Sequence, residues 1–142
     1  MADFNLSTKR FFTAEGYVEG KNMGYVNNPA DKGGETIAGI ARKMWPNEPI
    51  WNIVDSAKKF PNFPNSLKTN QQVMLMVREF YKKNFWDKIG GDRIKSQKIA
   101  DEIMDAVVNY GIAPGVKMAQ SIVGLPETGK IDNLLIEKIS ML

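Results

Sequence analysis

The chain of 142 residues contains neither cysteine nor histidine. Without them it can form no disulfide bond, no Cys nucleophile, no Ser-His-Asp triad and no zinc site of the usual Cys and His type. Any acid-base chemistry must therefore use Asp, Glu, Lys or Tyr. We expect neither a cofactor nor a bound metal.

Long apolar runs are also lacking. No stretch approaches the roughly 18 apolar residues that a membrane span needs, and the N-terminal residues contain no apolar segment like that of a signal peptide. The sequence therefore predicts no membrane insertion and synthesis in the cytoplasm without a signal peptide. For action outside the cytoplasm, another factor must release the protein.

The charge balance is mildly basic, with a formal net charge of +3. Lys and Arg are spread along the chain without a basic stripe interleaved with aromatic residues, so we do not expect nucleic acid as a partner. The charge is compatible with an anionic polymer such as cell wall. A hydrophobic content of 43% with 25% charged residues is typical of a globular protein, and we predict a single domain over residues 1–142.

Apolar residues with helical spacing occur along most of the chain, which predicts a mainly α fold. The helix that begins at Ser96 is apolar over much of its circumference, and this favours a buried central position. The predicted helices are Phe4 to about Val18 with Ser7 or Thr8 as N-cap, Ile37 to Met44, Pro49 to Lys59, Asn70 to Trp86, Ser96 to Val108, Pro114 to Val123 and Ile131 to Ser140.

The segment from Glu19 to Thr36 is rich in glycine and polar residues. Within it, Tyr25-Val26 and Glu35-Thr36-Ile37 are predicted to pair as a small hairpin across the Asn27–Gly34 loop. The segment contains three carboxylates, a threonine and four glycines, which predicts a shaped polar loop between helices.

Two of these carboxylates differ in their expected surroundings. Glu19 follows the apolar Tyr17-Val18, where burial would raise its pKa and keep it protonated, whereas Asp31 lies in a glycine-rich loop where it would stay ionised. Glycoside hydrolysis needs one such acid and one such carboxylate. Thr36 could then hold the attacking water by its hydroxyl. The residue types alone are also compatible with a solvated surface loop, which is the more frequent case.

The loop motif resembles that of a known family. Glu19-Gly20, then Gly24 to Thr36 with its Pro-Ala-Asp-Lys-Gly-Gly-Glu-Thr order, and then Gly39-Ile40, are similar to the N-terminal motif of glycoside hydrolase family 108. That family comprises lysozyme-like peptidoglycan hydrolases of phages and bacteria, some of them described as secretion activators. Further similar residues are Phe80-Tyr81, Trp86-Asp87, Gly91-Asp92, Ile99-Ala100, Asp105 to Val107, Asn109 and Gly111.

The C-terminal part extends the resemblance to nearly the whole chain. Gln120, Gly124 and Gly129 are similar to the predicted peptidoglycan-binding segment that ends these proteins. The resemblance implies a catalytic region over about residues 1–90, followed by C-terminal helices over about residues 91–142 that are integral to the fold. It implies an α+β lysozyme-like fold: a helical bundle around the central helix, with a small N-terminal hairpin lobe.

The family motif Glu-Gly-Gly-Tyr makes its Glu the catalytic acid, and this chain departs from it. Lys21-Asn22-Met23 separates the two glycines, so Glu19 matches only across a three-residue insertion. Without the gap, Asn22 would take the place of the acid and describe an inactive, sugar-binding relative. Glu15 is a third alternative, in a motif that lacks one glycine. We favour Glu19 because the divided motif is otherwise intact.

Asp31 and Thr36 match family positions without a gap, so the resemblance implies a catalytic set of Glu19, Asp31 and Thr36. It implies an N-acetylmuramidase that cleaves the β-1,4 bond of peptidoglycan. We expect the protein to be a monomer. The protein would be a phage endolysin or lytic enzyme released by a holin or a secretion system. The alternative is an inactive peptidoglycan-binding or structural relative. Saccharide contacts are expected from Tyr25, Asn27, Asn28, Asn109 and Tyr110, although Asn109 could equally brace the loop.

Overall fold

A computed structural model describes residues 1–14, 22–28, 30 and 34–142. The chain divides into two compact units: unit 1 contains Met1–Phe11 and Phe80–Leu142, and unit 2 contains Phe12–Glu79. Within the described ranges, no helix is long and apolar enough to cross a membrane. Each unit is described below by itself.

The described part of the chain contains six α-helices, and the predicted mainly helical fold is confirmed. Short 3-10 turns at Asn22–Gly24, Asn65–Thr69 and Gly91–Arg93 and a π-helical turn at Lys82–Trp86 connect these elements. The helices are α1 (Phe4–Ala14), α2 (Ile50–Ala57), α3 (Gln71–Tyr81), α4 (Gln97–Tyr110), α5 (Ile112–Ile122) and α6 (Asn133–Ser140).

A three-stranded antiparallel sheet lies in unit 2, with strands β1 (Val26–Asn27), β2 (Glu35–Ile37) and β3 (Ile40–Ala41) in the order β1-β2-β3. The predicted hairpin between β1 and β2 is confirmed, with Val26 opposite Thr36. Such short strands form few ladder hydrogen bonds, so this sheet depends on packing for its stability.

The predicted helix from Ile37 to Met44 was wrong. Ile37 and Ile40 are a cross-strand pair, joined by a turn in which Ala38 and Gly39 have φ angles of 48° and 80°. Two successive positive φ angles are the geometry of the tight turns that match the twist of a hairpin. A spacing of three residues between apolar positions therefore marked a turn rather than one face of a helix.

The start of α1 corrects a second expectation. Asp3 is the residue whose side chain caps this helix, because its Oδ1 accepts from the backbone N–H groups of Asn5 and Leu6 at 2.7 and 3.3 Å. Ser7 and Thr8 are buried inside the helix, and the Thr8 hydroxyl donates to the Phe4 carbonyl at 2.9 Å. The predicted extension of this helix to Val18 lies outside the described residues.

Unit 2 has its own buried core, in which α2 supplies Ile50, Trp51 and Val54. The sheet adds Ile37 and Ile40, both almost completely buried. Other buried apolar residues of this unit are Met23, Ala38, Leu67, Val73 and Val77. A core on one side of so small a sheet leaves its other side free to present polar residues.

In unit 1, α4 and α5 pack closely at Gly115. A Cβ atom added there would lie 2.6 Å from Val107 Cγ1 and 2.8 Å from the Val107 backbone nitrogen, so a residue without a side chain is needed. The predicted helix from Ser96 is confirmed as α4, with Ser96 Oγ accepting from the Ile99 N–H at 3.3 Å. Side chains of α4, α5 and α6 also line a largely apolar groove of about 270 Å³.

A buried amide supports the loop between α5 and α6. Gln120 donates to the Thr128 hydroxyl at 2.9 Å and to the Lys130 carbonyl at 3.2 Å, and accepts from the Gly129 N–H at 3.0 Å. Both ends of this amide are thereby satisfied inside the protein. The resemblance associated Gln120 and Gly129 with wall binding, and in the structure they hold this loop in place.

Candidate functional site

The hairpin lobe of unit 2 presents two faces with different chemistry. Because neighbouring residues of a strand point to opposite sides, Thr36 lies on one face and its neighbours Glu35 and Ile37 on the other. Register places Val26 and Ala41 beside Thr36. We call the face with Thr36 the outer face and the face with Glu35 the inner face.

The outer face is accessible to solvent. Val26 is 48% exposed, Thr36 in the central strand is partly exposed, and so is Ala41 in the strand beside it. A threonine hydroxyl there can donate one hydrogen bond and accept two. Thr36, which was predicted from the sequence as a catalytic residue, therefore lies where a solvent molecule or a saccharide can reach it.

The inner face carries a carboxylate that receives three donors. Glu35 Oε2 accepts from the Tyr25 hydroxyl at 2.6 Å and pairs with Lys58 Nζ at 2.5 Å, while Oε1 accepts from Arg42 Nη1 at 2.9 Å. The Glu35 side chain is only 11% exposed. Burial alone would raise its pKa, but the hydrogen bonds from Lys58, Tyr25 and Arg42 outweigh burial and hold the pKa below its usual range.

Arg42 joins this carboxylate to helix α2. It binds Asp55 through both terminal nitrogens, at 2.8 and 2.7 Å, and its guanidinium carbon lies 5.1 Å from the centre of the Trp51 ring. The hydrogen bonds to Asp55 and Glu35 raise the pKa of Arg42 above its usual range. We call Tyr25, Glu35, Arg42, Asp55 and Lys58 the inner cluster.

Tyr25, a predicted saccharide contact, belongs to the inner cluster. Burial, the hydrogen bond to Glu35 and the charge of Glu35 raise the pKa of the Tyr25 hydroxyl to about 12, against opposing effects of Asn27 and Arg42. Its ring meets the edge of Phe63 at a centroid distance of 4.9 Å. The hydroxyl and the ring are thus engaged within unit 2, and contact of Tyr25 with a saccharide stays a prediction.

The two predicted asparagine contacts of the hairpin are exposed. Asn27 lies in β1 opposite Glu35, and its side chain acts to lower the pKa of the Tyr25 hydroxyl, against the larger opposing effects. Asn28 follows the strand, and its Oδ1 accepts from the Ala30 N–H at 3.0 Å. This contact shapes the first turn of the loop.

Asn109 and Tyr110 lie in unit 1, in the last turn of α4. Both are exposed, and Tyr110 is 66% accessible. An exposed tyrosine ring beside an amide is a combination suited to sugars, since the ring can stack and the amide can hydrogen-bond. Their role as saccharide contacts stays a prediction.

Glu19 and Asp31, the other two predicted catalytic residues, and the alternative Glu15 lie outside the described residues. The structure does describe Met23, the last residue of the predicted insertion. Met23 is buried, with 2% exposure and a φ angle of 55°. Its carbonyl accepts from the Ala38 N–H at 2.8 Å. The insertion therefore ends in an anchored residue directly before the hairpin.

Sequence reasoning missed the inner cluster. The order Glu35, Arg42, Asp55 and Lys58 alternates in sign, but the residues lie in a strand, a turn and the end of a helix, so no single periodicity connects them. One signal was available in the sequence: Asp55 and Lys58 are three residues apart near the end of a predicted helix, a spacing that allows an ion pair. That spacing does not indicate the further contacts with Glu35 and Arg42. Within the described ranges, no three carboxylates gather as a metal site.

Comparison with known proteins gives the family and the fold. The sequence profile of the family described as Glycosyl hydrolase 108 matches residues 10–111. Among solved structures, the chain is similar to SagA of Brucella abortus, with 24% identity over 98% of this chain and 69% of that chain and a TM-score of 0.63. At this identity the likeness shows the fold alone. A search of curated proteins found no match.

Proposed function

Because this chain belongs to glycosyl hydrolase family 108, we propose that it is an N-acetylmuramidase that cleaves the β-1,4 bond after N-acetylmuramic acid in peptidoglycan. The single observation that carries the proposal is the family match over residues 10–111, which contains all the residues proposed for catalysis. Family membership supports a lysozyme-like peptidoglycan hydrolase in general terms. The sugar, the bond and the roles below are the proposal.

Glu19 is proposed as the general acid that protonates the glycosidic oxygen, with Asp31 and Thr36 positioning water or stabilising the developing positive charge. The exposed outer face of the hairpin supports this role for Thr36. Glu35 is not proposed as an acid, because its depressed pKa keeps it ionised near neutral pH.

The test compares purified wild type with Glu19→Gln, Glu15→Gln and Thr36→Ala on bacterial cell walls, by loss of turbidity and by release of new reducing ends. The control is Asp87→Asn, which alters an exposed ion pair with Lys82. We expect wild type, Glu15→Gln and the control to clear walls, and Glu19→Gln to lose at least about a hundredfold in rate, the lower end of the contribution from a general acid. Equal clearing by Glu19→Gln and wild type would remove Glu19 from the mechanism.

A second candidate function is binding without cleavage. It is favoured if Asn22 replaces the acid, and the C-terminal helices over about residues 91–142 would then contribute to wall binding. Co-sedimentation with purified walls, without reducing ends, would establish this function for the wild type. We further propose that the protein is made in the cytoplasm and acts on the wall after release, as a phage endolysin does.

A further inference from the structure

On the inner face of the hairpin, side chains hold the central strand in place. Glu35 receives donors from three separate segments: Tyr25 before β1, Arg42 after β3 and Lys58 after α2. Both of its oxygens are occupied. The carboxylate therefore fixes β2 against its two neighbouring strands and against the helix at once.

The position of β2 depends on these contacts of Glu35 because the sheet itself is small. β1 and β3 have two residues each and β2 has three, so backbone hydrogen bonds alone provide few constraints. A one-residue shift of β2 would move Thr36 to the inner face and Glu35 to the outer face. The contacts of Glu35 select the register that keeps Thr36 outward.

The charged contacts of Glu35 contribute more to the geometry of the hairpin than to the stability of the fold. Placing a carboxylate at 11% exposure carries a desolvation penalty, and well-packed apolar residues often stabilise such a position better. Hydrogen bonds, by contrast, fix the distance and the angle of each partner. The ionic contacts on the inner face are thus suited to fixing the position of Thr36 on the outer face.

We propose that Glu35 is a positioning residue for glycoside hydrolysis: bound by Tyr25, Arg42 and Lys58, it sets the location of the Thr36 hydroxyl on the opposite face of β2. This inference rests on the proposed function, in which Thr36 positions water or stabilises charge. Glu35 itself does not contact the substrate.

The first test measures kcat and KM of Glu35→Gln on soluble wall fragments. We expect kcat to fall roughly tenfold to a hundredfold, because a displacement of about 1 Å in a catalytic group can have that effect, while KM changes by less than about twofold. Lys58→Met is the second variant, since Lys58 is more than a third exposed and its loss removes one donor without emptying the core. The matched control Asp87→Asn should retain the wild-type kcat.

A double-mutant cycle separates positioning from a merely structural role. If Glu35 acts through Thr36, Glu35→Gln should lower kcat by less than about twofold in a Thr36→Ala background. Multiplicative losses in the double variant would overturn the inference, as would a wild-type kcat in folded Glu35→Gln. Should Glu35→Gln fail to fold, the same cycle with Lys58→Met decides in the same way.

Nuclear magnetic resonance distinguishes failure of this inference from failure of the proposed function. The Thr36 methyl signal should shift in Glu35→Gln and Lys58→Met and stay in place in Asp87→Asn. A shifted signal in a protein whose wild type cleaves no wall would support the coupling between Glu35 and Thr36 and refute only the proposed function. An unmoved Thr36 signal in both variants would overturn the inference whatever the activity.

Discussion

Arg42 binds Asp55 through two parallel hydrogen bonds, Nη1 to Oδ1 at 2.8 Å and Nη2 to Oδ2 at 2.7 Å, and the same Nη1 also donates to Glu35. One guanidinium therefore connects the hairpin to helix α2. Its planar fork suits this arrangement, because an ammonium group cannot form two parallel bonds to a carboxylate and hold a second carboxylate in a fixed direction.

Replacing Arg42 by Lys should therefore lower the free energy of unfolding by about 1–2 kcal/mol, since one or two charge-assisted hydrogen bonds are lost in a partly exposed site. The contact with Trp51 would also weaken. Urea unfolding followed by tryptophan fluorescence measures the change. Lys82→Gln, which breaks an exposed pair with Asp87, is the control and should keep the wild-type midpoint. Equal midpoints for Arg42→Lys and wild type would show that the fork adds nothing to stability.

The inner cluster also predicts a loss of stability in acid. Hydrogen bonds from Arg42, together with the charges of Arg42 and Lys58, lower the pKa of Asp55 to about 2. In the unfolded chain an Asp carboxyl titrates near its ordinary value of about 4. The unfolded state then binds more protons than the folded state between these values, so this stabilisation is present above about pH 4 and is lost as the pH falls toward 2.

We expect urea midpoints of the wild type to fall as the pH is lowered through this window. Asp55→Asn should show a shallower fall, because it removes one of the carboxylates responsible. The effect of Asp55 is modest, since solvent screens a side chain that is 45% exposed. Asp87→Asn, which leaves the inner cluster intact, should show the wild-type slope. Parallel slopes for Asp55→Asn and wild type would contradict the assigned pKa.

Tyr25 makes the opposite prediction at alkaline pH. Burial and Glu35 raise the pKa of this hydroxyl to about 12, above the ordinary value of about 10. The protonated hydroxyl therefore stabilises the folded state fully below about pH 10, and this stabilisation is lost as the pH rises through the folded-state pKa. A titration of tyrosinate absorbance should show one of the four tyrosines ionising last. Tyr25→Phe should abolish that late step. Persistence of the step in Tyr25→Phe would assign it to another tyrosine.

Several elements could be predicted from the sequence because local patterns determine them. All of α2, α4, α5 and α6 follow apolar periodicity. Helix α2 follows Pro49, and α4 and α6 follow the polar N-cap residues Ser96 and Asp132, whereas α5 begins at Ile112, two residues before its predicted start. The β1–β2 hairpin was predicted from the Asn27–Gly34 loop between the short segments Tyr25-Val26 and Glu35-Thr36-Ile37. Helix α3 was predicted to reach Trp86, and the chain does stay helical there but changes to a π-helical turn after Tyr81.

What could not be predicted depends on contacts between distant residues. The segment that contains β3 was predicted as a helix because the spacing of Ile37 and Ile40 fits one face of a helix as well as a cross-strand pair. The positive φ angles of Ala38 and Gly39, which form a tight turn, decide between the two structures. For the candidate site, the sequence indicated Thr36 and Tyr25 as functional residues. That Tyr25 faces Glu35 while Thr36 faces outward follows only from the strand register.

A last prediction concerns the buried amide of Gln120. Gln120→Leu retains a similar size but leaves the Gly129 N–H without its acceptor, and an unsatisfied buried backbone group costs about 1–3 kcal/mol. We expect a lower urea midpoint and faster proteolysis in the loop before α6. Ser121→Ala, an exposed change at the next position of α5, is the control and should leave both unchanged. If Gln120→Leu resists protease as well as the wild type, then the three hydrogen bonds of Gln120 do not hold this loop.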